Sequence, residues 1–412
     1  MKVGLIDCNA FFVSAELLFR PDLKGKPCVV LSSNDGCVVS RNSEAKALKI
    51  KMGQPFFEIK PLVASGKLTA FSSNFSLYAD CSRRVKTIIG DFFPHQEVYS
   101  IDESFVSLEP DMGIKDALVV RERILKETGI PVSVGIAPTK VLAKLATDHA
   151  KSQGVFEIFE KTADQFLDIP VEELWGISKA TGEKLRSVGI INAIELKRAD
   201  QRQIRRIGGV VLERIARELS GTPCLDIKEI ASPKKSICSS QSFGKPLRDL
   251  SEIQDALTGH VSSAAEELRT QGSVCRGLEV ILSTNRFRGD PYIASSLIRL
   301  PSPTHDTPLL ISAANAGLEK IYKAGRDYQK TGVTLLQVEQ LDKFQFDLFE
   351  AKPSDKNTKL LEVIDSLNRK MGKNSVTFGI VQGAEALQAR HEMISPPYTT
   401  SWNSIPKIKS FV

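Results

Sequence analysis

The sequence predicts a multidomain α+β protein, and three observations lead there. Segments near the N-terminus follow the order strand, helix, strand, strand, helix, strand, which is the ferredoxin-like arrangement. Residues 165–230 read as a succession of short helices. A second set of strands and helices occupies residues 236–340. The 412 residues suffice for roughly two to four domains with a real core. A hydrophobic content of 42% and a charged content of 25% are ordinary for a soluble globular chain. No run approaches the roughly 18 apolar residues of a membrane span. Met1-Lys2-Val3-Gly4 enters a strand directly, which predicts no signal peptide. Seven cysteines without a C-x-x-C pair argue against a zinc site or a disulfide framework, and they fit the reducing cytoplasm. The net charge of +6 is compatible with a nucleic-acid partner without requiring one.

The elements follow in order. Val3–Asp7 is an apolar run that reads as a buried strand. Asn9 is placed to cap a helix over Ala10–Phe19, where Phe11, Ala15, Leu18 and Phe19 recur at helical spacing. Glu97–Ile101 and Ser104–Leu108 read as strands, Ile114–Thr128 as a helix and Val132–Ile136 as a strand. The long gap after the first helix is an insertion. It holds two short strands, Pro27–Ser32 and Cys37–Ser40, around the turn signal Asn34-Asp35-Gly36. A short helix, Ser43–Leu48, follows and is capped by Asn42. Thr139–Lys151 reads as a helix whose Lys140 and Lys144 are expected on a solvated face.

The chemistry centres on Tyr99-Ser100-Ile101-Asp102-Glu103-Ser104-Phe105. Two adjacent carboxylates sit in an apolar, strand-forming run. Such burial is costly unless the acids are paired or bind a metal, and hard divalent cations remove the cost. An exposed hairpin tip accounts for this segment equally well on its own. Asp7, at the C-terminal end of a buried strand, breaks the tie. Three acids on two strands of one sheet can hold two Mg²⁺ ions for in-line phosphoryl or nucleotidyl transfer.

Beyond the core, Leu174-Trp175-Gly176-Ile177-Ser178 leads into a helix over Ala180–Ser187 and then Val188-Gly189-Ile190. This is a helix-hairpin-helix pattern, in which backbone N–H groups meet a DNA phosphate. Ser178 stands where that motif usually carries its second hairpin glycine. Lys197, Arg198, Arg202, Arg205 and Arg206 lie just downstream. After the linker Ala231-Ser232-Pro233 come strand segments Ile237–Phe243, Gly277–Thr284, Ser295–Leu300 and Gly332–Val338. Helices Leu250–Gln271 and Leu309–Tyr322 accompany them. Arg286, Arg288 and Arg299 are placed to follow a phosphate backbone. The last 70 or so residues read as irregular.

The segments IDCNAFFVSAE, KPCVVLSSNDGCVVSRNSEAKALKIKMG, FSSNFSLYAD, VYSIDESF, VGIAPTKVLAKLA and ELWGISKATGEKLRSVGI, with the terminal SPPYTTSW, carry a resemblance that spans the chain. The chain resembles the Y-family DNA polymerases, most closely the polymerase V branch. The resemblance implies a right-hand polymerase with a ferredoxin-like palm (1–20 and 77–164) and small fingers (21–76). A helical helix-hairpin-helix thumb (165–232), an α+β little-finger domain (233–340) and a C-terminal tail (341–412) complete it. It implies that Asp7, Asp102 and Glu103, with the backbone carbonyl of Cys8, bind two Mg²⁺. Phe12 takes the place of the aromatic steric gate against a ribose 2′-hydroxyl. Phe11 and Phe12 point about 100° apart on a helix, so the two rings cannot share that role. Ser43, Lys46 and Lys151 align with triphosphate contacts, although many relatives carry Tyr and Arg where this chain has Ser43 and Lys46. Gln345, Phe346, Leu348 and Phe349 are similar to a sliding-clamp-binding peptide. The implied activity is error-prone translesion synthesis in the SOS response on primer–template DNA with dNTPs. The implied partners are the sliding clamp, a UmuD-like accessory dimer and the RecA recombinase.

Two other readings compete. A non-polymerising DNA-damage binding subunit has no reason to keep three costly acids. A nucleotidyl cyclase shares the palm but needs neither the hairpin nor the clamp-like peptide.

Overall fold

The computed structural model describes residues 2–230, 232–287, 289–343, 355–372, 375–379 and 391–404. The chain forms two compact units, residues 1–231 with 392–412, and residues 232–391.

In the first unit the elements run β1 (Lys2–Cys8), α1 (Phe11–Leu17), β2 (Cys28–Leu31), β3 (Val38–Arg41), α2 (Ser43–Ala47), α3 (Phe56–Ala64) and β4 (Thr69–Ser72). They continue with α4 (Phe75–Phe92), β5 (Gln96–Val98), β6 (Glu103–Leu108), α5 (Ile114–Thr128), β7 (Val132–Ala137), α6 (Lys140–Gln153) and β8 (Val155–Glu157). The helices α7 (Lys179–Arg186), α8 (Ala193–Arg198) and α9 (Gln201–Leu219) follow. A five-stranded sheet in the order β5-β6-β1-β7-β8 forms the centre. Strand β1 is antiparallel to both neighbours. Its residues alternate between two cores. Ile6 and Cys8 pack with residues of α1, α4 and α5, whereas Val3 and Leu5 pack with those of α6 to α9. Covering on both faces explains the unbroken apolar run of β1.

Helix α6 lies close against the sheet because β7 carries Gly135 there. A Cβ on Gly135 would fall 2.2 Å from the Thr147 backbone nitrogen and 2.5 Å from the Ala143 carbonyl oxygen. The inserted segment forms a smaller sheet, β3-β2-β4, with β2 antiparallel to β3 and parallel to β4.

The structure corrects several sequence expectations. Asn9 does not cap α1; Ala10, with φ 44°, stands at that position without a side-chain bond. Asn9 instead accepts a 2.8 Å hydrogen bond from Ser133 Oγ through its Oδ1. In the small hairpin the positive φ angles fall on Asn34 (61°) and Asp35 (49°), not on Gly36. The 18-residue helix α4 was not anticipated. Ser178, in the place of a hairpin glycine, is the N-cap of α7 and accepts from Thr181 N.

The second unit contains β9 (Ile237–Leu247), α10 (Leu250–Thr270), β10 (Ser273–Thr284), β11 (Ile293–Thr304), α11 (Thr307–Ile321), β12 (Tyr328–Gln340) and α12 (Asp355–Met371). Its sheet runs β11-β10-β12-β9, antiparallel throughout. Helices α10 and α11 bury Leu257, Val261, Leu310 and Leu318 in one core with Leu278, Val280 and Leu335 of the sheet. Helix α12 overturns the expectation of an irregular C-terminal region. It is fastened by a two-pronged ion pair, Arg269 Nε to Asp365 Oδ2 at 2.7 Å and Nη2 to Oδ1 at 2.8 Å. No helix among the described residues is long and apolar enough to cross a membrane.

Candidate active site

The antiparallel register sets Asp7 of β1 directly opposite Glu103 of β6. Cross-strand partners share a face, here the face covered by α6. The second strand is shorter than expected, ending at Val98, so Tyr99–Asp102 form a tight turn before β6. Ser100 organises this turn. Its Oγ accepts from Asp102 N (3.2 Å) and Glu103 N (3.1 Å) and donates to Asp102 Oδ1 at 2.6 Å. Asp102 O in turn accepts from Cys8 N at 3.0 Å, tying the turn to the end of β1. Lys86 Nζ donates to Ser100 O at 2.8 Å. Burial lowers the Lys86 ammonium below its ordinary range, against the attraction of Cys8 and Asp102.

Helix α6 supplies the counter-charge. Lys140, Lys144 and Lys151 fall along one side of it, and none of the three is merely solvated. Lys144 Nζ is bonded to Glu103 Oε1 and lies 3.4 Å from Asp7 Oδ2. Lys151 Nζ pairs with Asp148 at 2.8 Å and lies 3.7 Å from Asp7 Oδ2. Lys140, only 3% exposed, pairs with Glu97 and donates to Asp226 O at 2.7 Å. The expectation of a solvated face for Lys140 and Lys144 is therefore wrong. The close seating of α6 at Gly135 brings these stems over the sheet.

The electrostatics follow from this packing. Burial raises the Asp7 carboxyl to about 6, against the pull of Lys144 and Lys151 and with the push of Glu103. Burial alone would lower the Lys144 ammonium, yet Glu103 and Asp7 hold it above its ordinary range. Asp7 and Glu103 thus form an anionic pair balanced by two lysines. Asp102, next in the chain, has its carboxylate engaged by Ser100. Among the described residues no three His, Cys, Asp or Glu groups converge into a preformed cage. The oxygen donors of Asp7 and Glu103 fit a hard divalent cation, and Asp102 would join them by releasing Ser100.

Phe11 and Phe12 differ in burial, although both rings meet Tyr78 and lie 5.7 Å apart. Phe11 is buried, and Phe12 is half-buried and stacks on Tyr78 with centroids 4.6 Å apart and planes at 20°. Phe75 meets Phe12 edge-on at 6.0 Å. Ser43 and Lys46 are exposed on α2, and Ser43 Oγ donates to Glu44 at 3.0 Å. The Cys8 thiol is buried and pushed far above its ordinary range. The clamp-like Gln345, Phe346, Leu348 and Phe349 lie outside the described residues, as does Arg288.

In the helical region, Gly176 and Gly189 take φ of 89° and 85°. A Cβ on Gly176 would also fall 2.9 Å from Ile215 Cδ1, so glycine is required there. The basic run divides in two. Lys197 and Arg198 are paired with Asp164, and Arg205 with Glu213. Arg202 and Arg206 are exposed and make no ion pair among the described residues.

Sequence comparison places this geometry. The impB/mucB/samB family matches residues 6–148, and that family's C-terminal domain matches residues 234–348. The chain is 39% identical to protein UmuC of Salmonella typhimurium over 98% of its own length and 100% of the relative's. It belongs to the impB/mucB/samB family. Protein MucB of Salmonella typhimurium is 38% identical, over 98% of both chains. DNA polymerase IV of Oceanobacillus iheyensis is 27% identical, over 90% of both. Among solved structures, a Y-family DNA polymerase chimera aligns with 82% of this chain and 100% of its own, at a TM-score of 0.67 and 22% identity. An insertion ternary complex of Dbh DNA polymerase aligns with the same shares at a TM-score of 0.55 and 23% identity. The fold is that of the Y-family polymerases. The acids, the small sheet and α6 as far as Asp148 fall within the first impB/mucB/samB match. A domain of unknown function matches residues 358–408.

Proposed function

We propose that this chain, a translesion DNA polymerase of the Y family, extends a primer 3′-end by two-metal nucleotidyl transfer at Asp7, Asp102 and Glu103. The observation that carries this reading is the Asp7–Glu103 pair, set opposite in register and balanced by Lys144 and Lys151. Two Mg²⁺ ions held there, with the Cys8 carbonyl, would activate the 3′-hydroxyl and neutralise the triphosphate. The protein's part is position and charge. Lys151, exposed on one side and near Asp7 on the other, is placed to receive phosphate oxygens. Lys46 and the hydroxyl of Ser43 approach the triphosphate from α2. Phe12, backed by Tyr78, excludes a 2′-hydroxyl. Arg202 and Arg206 reach a DNA backbone beside the hairpin. The palm (1–20, 77–164), fingers (21–76), thumb (165–232) and little finger (233–340) divide this work.

Error-prone bypass in the SOS response, in the cytoplasm, is the setting that the family relationship favours. The sliding clamp would bind Gln345–Phe349, and a UmuD-like dimer and RecA would assist. Primer extension past one abasic site tests the reading. Wild type is compared with Asp102→Ala/Glu103→Ala, with and without clamp, UmuD-like dimer and RecA. Bypass by wild type and DNA binding alone by the double variant supports the proposal. Equal DNA binding with no extension by either protein in either arm sinks it in favour of a binding subunit.

A further inference from the structure

The segment 391–404 is separated from the inserted sheet by more than three hundred residues, yet it is built into it. Strand β4 is an outer strand of the order β3-β2-β4. Ser72, its last residue, forms a parallel bridge with Ile394. Ser72 N donates to Met393 O at 3.0 Å, and Met393 N donates to Ser72 Oγ at 3.0 Å. Met393 packs against the apolar core of the small sheet. Further along, Tyr398 stacks on Phe19 with centroids 4.4 Å apart and planes at 10°, and packs against the palm core. The bridge engages the last residue of β4 and satisfies the Ser72 N–H.

The contacts between these two anchors lead toward Phe12. Asn74 Nδ2 donates to Ser395 Oγ at 2.9 Å and to Ser395 O at 3.3 Å, with both residues buried. The other end of the same amide, Asn74 Oδ1, caps α4 by accepting from Leu77 N at 3.2 Å. The first turn of α4 carries Phe75 and Tyr78, the two rings that pack on Phe12. Tyr78 Oη donates at 2.7 Å to Glu16 Oε1, a fully buried carboxylate on the helix that carries Phe12. Ser395 thus fixes the amide that starts α4, and α4 fixes the wall behind Phe12.

We propose that residues 392–404 are an intramolecular clasp that fastens to the end of β4 and holds the Phe12 pocket in shape through Asn74. This gives a role to the end of the region matched as a domain of unknown function. Sugar selection at the nucleotide site then depends on the C-terminal segment of the chain. That last step rests on the reading of Phe12 as the steric gate. Asn74 and Ser395 are positioning residues and touch no substrate.

The test uses the full chain. Tyr398→Ala removes one anchor, Ser395→Ala removes the hydroxyl's contacts to Asn74 and Glu16, and Tyr398→Phe keeps the stacked ring. Hydrogen exchange is followed across residues 69–78, and incorporation of ribonucleotides is measured against deoxyribonucleotides, with Phe12→Ala as the reference. The Ser72 amide is expected to exchange about tenfold faster or more in Tyr398→Ala, and to stay as in wild type in Tyr398→Phe. Ribonucleotide incorporation is expected to rise in Ser395→Ala toward the level of Phe12→Ala. Unchanged exchange in both alanine variants overturns the clasp. Faster exchange with an unchanged sugar ratio, where Phe12→Ala does shift the ratio, overturns its link to selection. If Phe12→Ala itself leaves the ratio unchanged, the gate reading falls and the exchange data alone decide the clasp.

Discussion

Replacing Lys144 by Gln should expose what holds the two acids together before a metal arrives. Lys144 is bonded to Glu103 and lies 3.4 Å from Asp7, with side chains 20%, 14% and 10% exposed respectively. Removing one partner of a fully buried pair costs about 3–5 kcal/mol. Here the groove is partly wet and Lys151 still lies 3.7 Å from Asp7, so a loss of about 1–3 kcal/mol is expected. A unit of this size melts roughly 2–4 °C lower per kcal/mol. The loss should appear in EDTA at pH 7.5 and shrink in Mg²⁺ or Mn²⁺, which restore positive charge between the acids. Each 1.4 kcal/mol of lost competition should tighten Mn²⁺ binding about tenfold. The pH dependence has a fixed sign. The folded state holds Asp7 near 6 against an ordinary 3.8, so it favours the protonated form. Stability from this group therefore falls as pH rises through that window and levels off above it. Without Lys144 the window should extend upward, and the variant's deficit should narrow below pH 6. Melting curves that drop equally with and without metal would make Lys144 a packing residue and refute the counter-charge account.

Three other outcomes are expected. His260 is half-buried on α10 beside Lys330, and its imidazole is pushed down to about 4 by desolvation and then by that lysine. A lowered His pKa leaves stability whole above pH 6.5 and removes up to about 3 kcal/mol as pH falls toward 4. His260→Gln should flatten this acid-side slope in calorimetry of the second unit, and an unchanged slope would reject it. Arg269→Ala should release α12 by stranding the Asp365 carboxylate, at a cost of about 3–5 kcal/mol. Faster tryptic cleavage near Arg369 would show it, with Arg269→Lys intermediate because lysine lacks the fork; equal protection in wild type and Arg269→Ala would contradict it. Arg202→Ala/Arg206→Ala should lower the slope of log K against log salt for duplex DNA by about 1.8, whereas Lys197→Ala, already paired with Asp164, should change it little. An unaltered slope in the double variant would remove both arginines from the DNA path.

What the sequence made legible is what local chemistry determines. The unbroken apolar run of β1 is a local signal of a strand covered on both faces. The helix Ile114–Thr128 has the predicted bounds because Gly129, with φ 72°, ends it. Asp7 and Glu103 were legible because acids at strand ends are costly and need a reason. Long-range packing was not legible. Lys144 sits four residues from Lys140 on an amphipathic helix, and that spacing describes a solvated face equally well. Its inward position depends on Gly135 meeting Thr147, a contact between strand and helix. The segment at Met393–Tyr398 has no period, since its partners Ser72, Asn74 and Phe19 impose its shape. A motif search could have noticed Ser100, whose place two residues before Asp102 suits a turn-forming hydroxyl.

The choice of lysine over arginine in α6 follows from the same electrostatics. Asp7 and Glu103 lie opposite each other and repel, and Asp7, raised to about 6, already approaches neutrality near that pH. A guanidinium opposite Asp7 and Glu103 would bridge both with a rigid fork and compete with any metal. An ammonium on a flexible four-carbon stem supplies the charge as a point and can withdraw along the helix. Lys151 extends the logic outward, pairing with Asp148 at the surface while remaining within reach of Asp7. The two lysines thus grade the field from the buried acids to the solvent side. Position along one helix, set by a single glycine beneath it, places both lysines over the two acids.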